Sequence, residues 1–272
     1  MMFRKSLLAA VAIPLLWAAA PPIAAQDLVA TVEADILPGW RRVDGTHIAA
    51  VRLKLKDGWK TYWRSPGDGG IPPRLTWSGS RNVRTLDPMW PTPIVFNQSG
   101  LRSVGYTHEV VVPVIIEPRR NGKDISLNGR LEIGVCKDIC IPETLHVEAR
   151  LPKSVNKIDP RIAVALSDQP YSAEEARVKD ISCDIEATAD GMRISAVIDM
   201  PSPGGKEFGI IETDNPLLWV AEAETKRTGS RLRVSSEVLH VEEKPFLLNR
   251  SGLRVTVLGQ NYAVEVSGCS VK

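Results

Sequence analysis

Apolar and polar residues alternate along most of this chain. The clearest alternation brackets the segment Gly134–Glu143, G-V-C-K-D-I-C-I-P-E: Leu131, Ile133 and Val135 precede it, Leu145, Val147, Ala149 and Leu151 follow it, and all lie at odd positions with mostly polar residues between them. A period of two predicts half-buried strands, so the segment reads as the tip of a β-hairpin. Upstream, the same pattern predicts strands over Leu28–Ile36, His47–Leu55, Gly58–Arg64, Arg74–Trp77 and Tyr106–Glu117, and a strand from Ile125 after the Asn121-Gly122 turn. Residues 65–73 hold too many Gly and Pro residues for helix or central strand, and residues 90–100 read as irregular.

The pattern changes after Leu151. Pro152, Pro160 and Pro170 punctuate residues 152–178, which hold two short helix-like pieces, Arg161–Leu166 and Ser172–Arg177, the second opened by a Ser172/Glu175 capping box. Strands are then predicted at Ile181–Ala187, Met192–Ile198, Phe208–Glu212, Leu217–Ala221, Arg231–Val238, Leu253–Leu258 and Tyr262–Val266. The expected architecture is all-β: a β-sandwich over residues 26–151, a linker with short helices over 152–178, and a second, smaller β-sandwich over 179–272.

The first residues modify this picture. Arg4 and Lys5 precede an apolar run from Ser6 to Ala20, and small residues end at Ala25. This is the pattern of a cleavable signal peptide over residues 1–25, too short and too Pro-interrupted for a membrane span. The expected location is the periplasm, without direct membrane insertion. Cleavage would take Arg4 and Lys5 from the 34 basic residues and none of the 32 acidic ones, leaving the charges balanced. A neutral chain without a basic run supplies no attraction for nucleic acid or anionic lipid.

Four cysteines in an exported chain point to two disulfides, with three connectivities available. Cys136 and Cys140 would face each other across a three-residue hairpin loop, within disulfide range. Strand parity puts both on the even face, away from the core, so both sulfurs are expected to point outward. Cys183 and Cys269 sit near the first and last strands of the second half. Closing that long loop would stabilise by ~4.6 kcal/mol on a chain-entropy treatment, against ~2 kcal/mol for the short one. The short bridge would then be easier to reduce by on the order of 50 mV. Cys183–Cys269 is therefore the expected structural disulfide, and Cys136–Cys140 the expected exchanging pair. Lys137 is offset by Asp138, and no helix N-terminus adjoins, so the sequence shows no strong thiolate-stabilising charge.

Other chemistries find less support. A C-x-x-x-C pair with His108 or His146 lacks four ligands at a recognised metal-site spacing, so neither metal nor cofactor is expected. Trp59, Tyr62, Trp63, Trp77 and Trp90 could form a sugar-stacking platform, but aromatics in β-sandwiches more often fill the core. No G-x-S-x-G motif appears, and the four histidines have no partner motifs for a triad.

Gly58-Trp59 through Tyr62-Trp63, the Pro66-Gly67-Asp68 loop, Trp90-Pro91-x-Pro93, Gly105-Tyr106 and above all C-K-D-I-C-I-P-E resemble the periplasmic N-terminal (alpha) domain of the DsbD and ScsB disulfide reductases. The three-residue cysteine spacing is shorter than in the DsbD branch and closer to the ScsB branch. The resemblance implies an immunoglobulin-like β-sandwich whose cysteine pair, here Cys136 and Cys140, receives electrons from a membrane thiol transporter of the DsbD/CcdA/ScsB type. It would pass them to thioredoxin-like periplasmic proteins. It also implies a cap loop, which would fall at Phe96, Asn97, Gln98, Ser99, Gly100 and Leu101. With no membrane or thioredoxin segment in the chain, the donor is expected to be a separate protein. The residues alone leave a second reading open: a non-catalytic β-sandwich binding or scaffold protein with two structural disulfides.

Overall fold

The computed structural model describes residues 30–98 and 100–271. The expected signal peptide, Leu28 and Val29 of the first predicted strand, and Ser99 of the expected cap loop lie outside the described residues.

The protein is all-β, and its first half is an immunoglobulin-like sandwich of two sheets. One sheet orders β1 (Val32–Arg41), β2 (His47–Leu55), β8 (Glu109–Glu117) and β5 (Thr85–Pro88) as β1-β2-β8-β5. The facing sheet runs β10 (Cys140–Leu151), β9 (Ile125–Cys136), β3 (Lys60–Tyr62), β7 (Leu101–Thr107), β6 (Ile94–Gln98), with β4 (Arg74–Thr76) also on β9. Alternate residues of both sheets meet in one core that includes Val51, Leu53, Val112, Val114, Leu127, Leu131, Ile133 and Val135. Trp63 is fully buried there, and Trp59, Trp77 and Trp90 pack against it.

Several elements differ from the sequence expectation. The first strand continues to Arg41 through a bulge between Leu37 and Trp40. Gly39 sits in this bulge at φ 63°, where an added Cβ would lie 1.8 Å from the Ile48 carbonyl oxygen, so only glycine fits. The single run predicted over Tyr106–Glu117 is two strands in different sheets, separated at His108, whose φ of 60° turns the chain across the sandwich. The stretch read as irregular holds β6, an edge strand formed by hairpin pairing with β7. Such an edge has no apolar alternation to reveal it.

After β10, α1 (Pro160–Ser167) begins on an Asp159 cap and buries Ile162 against Leu37, Ile48 and Ala50, covering part of the outer face of the first sheet. Ser172–Arg177 is not a helix. Its capping box forms, with Glu175 accepting from the Ser172 hydroxyl at 2.8 Å, but the chain closes after one turn at Arg177, φ 54°. One turn with a left-handed exit cannot propagate.

The second half stacks a sheet of β14 (Leu218–Val220), β16 (Arg231–His240), β12 (Met192–Asp199), β11 (Asp180–Ala187) and β19 (Ser270–Val271) on a sheet of β13 (Phe208–Glu212), β17 (Arg254–Leu258) and β18 (Ala263–Ser267). A polar edge strand, β15 (Glu224–Thr228), also joins β16, and neither it nor β5 and β19 is signalled by periodicity. This half has its own core around Ile194, Ile198, Leu232, Val234 and Val257. The two halves are also joined: Leu258 and Ala263 are buried in the first core, with Phe208 and Ile210 packed against it. Arg64 forks onto Glu212 at 2.8 and 2.9 Å and also contacts Glu265. Arg102 donates to the Ala223 carbonyl at 3.0 Å.

Candidate functional site

The β9–β10 hairpin pairs Cys136 directly opposite Cys140, with Gly134 opposite Pro142 and Ile133 opposite Glu143. The two cysteines form a disulfide with Cα atoms 4.1 Å apart. The loop between them, residues 137–139, closes on a Lys137 N–H to Ile139 carbonyl bond of 3.0 Å.

The two sulfurs do not share one environment, although strand parity puts both on the face away from the core. Cys140 is exposed, but Cys136 is fully buried. Parity assigned Cys136 to the correct face of β9; along most of the strand the even positions are half-buried or exposed, while Gly134 and Cys136 at its end are buried. Parity reports which side of a sheet a residue takes, whereas exposure depends on what lies over that side. Here the cover comes from β3 and the loop after it. Tyr62 is buried with its hydroxyl 2.8 Å from Cys136 Sγ and 3.3 Å from Cys140 Sγ. Gly134 leaves the space that this cover occupies, since a Cβ there would lie 2.6 Å from Ile71 Cβ and 3.1 Å from Tyr62 Cδ2. The Thr61 hydroxyl donates to the Gly134 carbonyl at 2.9 Å and ties β3 to the cysteine strand.

Around this centre, Phe96 stacks on Tyr62 with ring centroids 6.4 Å apart, and Lys60 Nζ lies 5.6 Å from the Phe96 ring centre. Gln98 donates from Nε2 to Cys140 Sγ at 3.3 Å. Its Oε1 accepts from the Tyr62 hydroxyl at 3.4 Å, and that hydroxyl also reaches the Gly69 carbonyl at 3.3 Å. Burial pushes the Tyr62 phenol above its ordinary value, so it stays a neutral donor near neutral pH. Of the residues expected in a cap, Phe96 and Gln98 thus lie at the disulfide. The Asn97 side chain instead accepts from the Gly100 N–H at 3.0 Å and shapes the turn, while Leu101 is exposed.

Reading the sequence attached no role in the site to Lys60, Tyr62 or Ile71. Lys60 lies in register with Cys136 across β3 and β9, and its Nζ sits by the Phe96 ring, a placement that local charge counting could not find. The aromatic run was visible, but its pairing with a strand some seventy residues away was not. The other cysteines form the second disulfide, Cys183–Cys269, with Cα atoms 5.7 Å apart and Cys183 fully buried. It lies where β11 and β19 pair in parallel. His146 is exposed on β10.

The first half is thus a sandwich carrying a disulfide at a hairpin tip under an aromatic cover. The family model described as thiol:disulfide interchange protein DsbD, N-terminal, matches residues 25–152, and this part of the chain belongs to that family. Among solved structures, the N-terminal periplasmic domain of ScsB from Proteus mirabilis matches with a TM-score of 0.64 and 20% identity, over 89% of this chain and 92% of that one. The likeness therefore extends to the fold of both halves. No curated protein sequence matches the chain. Among the described residues, no helix is long and apolar enough to cross a membrane.

Proposed function

We propose that this protein is a periplasmic thiol-disulfide relay that takes electrons from a separate membrane thiol transporter of the DsbD/CcdA/ScsB type and gives them to thioredoxin-like partners. Residues 26–151 form the redox domain, 152–178 the linker and 179–272 the second domain, with residues 1–25 as a cleaved signal. The observation that carries the reading is the inequality of the two sulfurs: Cys140 is open to solvent and Cys136 is buried behind it.

That geometry orders the chemistry. In the reduced protein the Cys140 thiolate attacks a partner disulfide; a Cys140–partner bond forms, the partner's bond breaks, and its second sulfur leaves as a thiolate that takes up a proton. The Cys136 thiol then loses its proton and attacks Cys140, re-forming the intramolecular disulfide and releasing the partner as a dithiol. Two electrons pass to the partner, and the transporter later returns two. Exposed Ile139, Leu101 and Ile94 supply apolar surface on the cysteine hairpin and on the neighbouring β6–β7 hairpin.

Trapping tests the reading. With a thioredoxin-like protein supplied as its disulfide, Cys136→Ala should accumulate a mixed disulfide through Cys140, and Cys140→Ala should trap little through the buried Cys136. Absence of capture by either variant, with a reduction potential below about −300 mV, would leave an inert structural bridge and a scaffold role.

A further inference from the structure

We propose that Gln98 is a catalytic residue of the exchange reaction, its side-chain amide acting as the hydrogen-bond donor that stabilises the Cys140 thiolate and makes Cys140 the exchanging sulfur. The inference rests on the relay reading above and assigns a chemical role within that same site.

Two donors face the two sulfurs, and they divide between them. The Tyr62 hydroxyl has one proton to give and lies closer to Cys136, 2.8 Å, than to Cys140, 3.3 Å. Gln98 Nε2 contacts Cys140 alone, at 3.3 Å. The amide lies with its Oε1 on the tyrosine side, 3.4 Å from the Tyr62 oxygen, and its Nε2 end toward sulfur. The backbone holds Gln98 in place as well: it pairs with Leu101 at the end of the β6–β7 hairpin, and Asn97 closes the turn through the Gly100 N–H.

A disulfide sulfur is a weak acceptor and a thiolate a strong one, so the Gln98 contact strengthens on reduction. Residue type matters here. A carboxylate at this position would place a negative charge against the developing thiolate, whereas the amide offers N–H groups without charge. The nearest cation by register, Lys60, is aligned with Cys136 and lies near the ring of Phe96. Gln98 is the side chain that gives the exposed sulfur a donor of its own.

The experiment measures the pH profile of Cys140 alkylation in the full chain carrying Cys136→Ala, alone and combined with Gln98→Glu or Gln98→Leu. Gln98→Glu keeps the length and the acceptor for Tyr62 but loses the donor. Its alkylation midpoint should rise by about one pH unit, and that of Gln98→Leu by less. A purely structural role for Gln98 would lower thermal stability, leucine more than glutamate, without this ordering of midpoints. Superimposable profiles, with mixed-disulfide formation intact, overturn the assignment of Gln98 and leave the relay standing. Failure of Cys140 to form any mixed disulfide in the parent Cys136→Ala protein overturns both.

Discussion

The Tyr62 hydroxyl lies 2.8 Å from Cys136 Sγ, buried between the cysteine hairpin and the loop that follows β3. A hydrogen bond from a neutral phenol favours the acceptor that carries more charge, so this contact is worth more to the reduced protein than to the disulfide. Tyr62→Phe should retain the fold and lose about 1 kcal/mol of preference for the reduced state. The potential should therefore become more negative by on the order of 20 mV. Equilibration with glutathione measures it; an unchanged potential would assign Tyr62 to packing alone.

Arg64 follows Trp63 and joins the halves by its fork onto Glu212 and its contact with Glu265, all three side chains being mostly buried. Removing the cation leaves Glu212 without its partner and Glu265 with Arg254 alone, at 3.4 Å. Arg64→Ala should cost about 2–4 kcal/mol in urea unfolding. Adding Glu212→Gln and Glu265→Gln should recover part of that loss, a non-additivity expected of one shared network. Additive losses would show that the three residues act separately.

His47 is fully buried on β2, with its Nε2 donating to the Pro38 carbonyl at 2.6 Å. Its Nδ1 is buried without a partner, so a second proton would be placed where nothing accepts it. Burial foremost, with the Arg41 charge adding to it, holds the imidazole below its ordinary value despite the Pro38 bond. The unfolded chain thus binds this proton at higher pH than the folded one. Stability from this group is complete above about pH 6.5 and is lost as pH falls through the lower folded value. His47→Gln should flatten the slope of unfolding free energy between pH 5 and 7; an unaltered slope would exclude His47 as its source.

The Cys183–Cys269 bridge closes a sequence separation of 86 residues. Replacing both cysteines with alanine should lower stability by about 3–4 kcal/mol. Exchange at Cys136–Cys140 should continue in the native variant. Loss of exchange at temperatures where that variant remains folded would show that the second half takes part in the chemistry.

The legible parts of this protein were those governed by local periodicity. Alternation at Leu131–Val135 and Leu145–Leu151 located the hairpin, and its three-residue loop set Cys136 opposite Cys140. Hairpin register depends only on residues adjacent in sequence, which is why it could be read. Edge strands β6 and β15 escaped because an edge can be held by backbone pairing without an alternating apolar face.

The sequence by itself determined a β-rich chain, the hairpin and the sheet face on which each cysteine lies. Only the tertiary structure decided that Cys136 is buried while Cys140 is open, and that Tyr62 and Gln98 contact the sulfurs. The physical reason is that strand parity is a property of one backbone. Cover over a face comes from segments brought in by non-local pairing, here β3 on β9 and β7 on β3, with β6 carried in on β7.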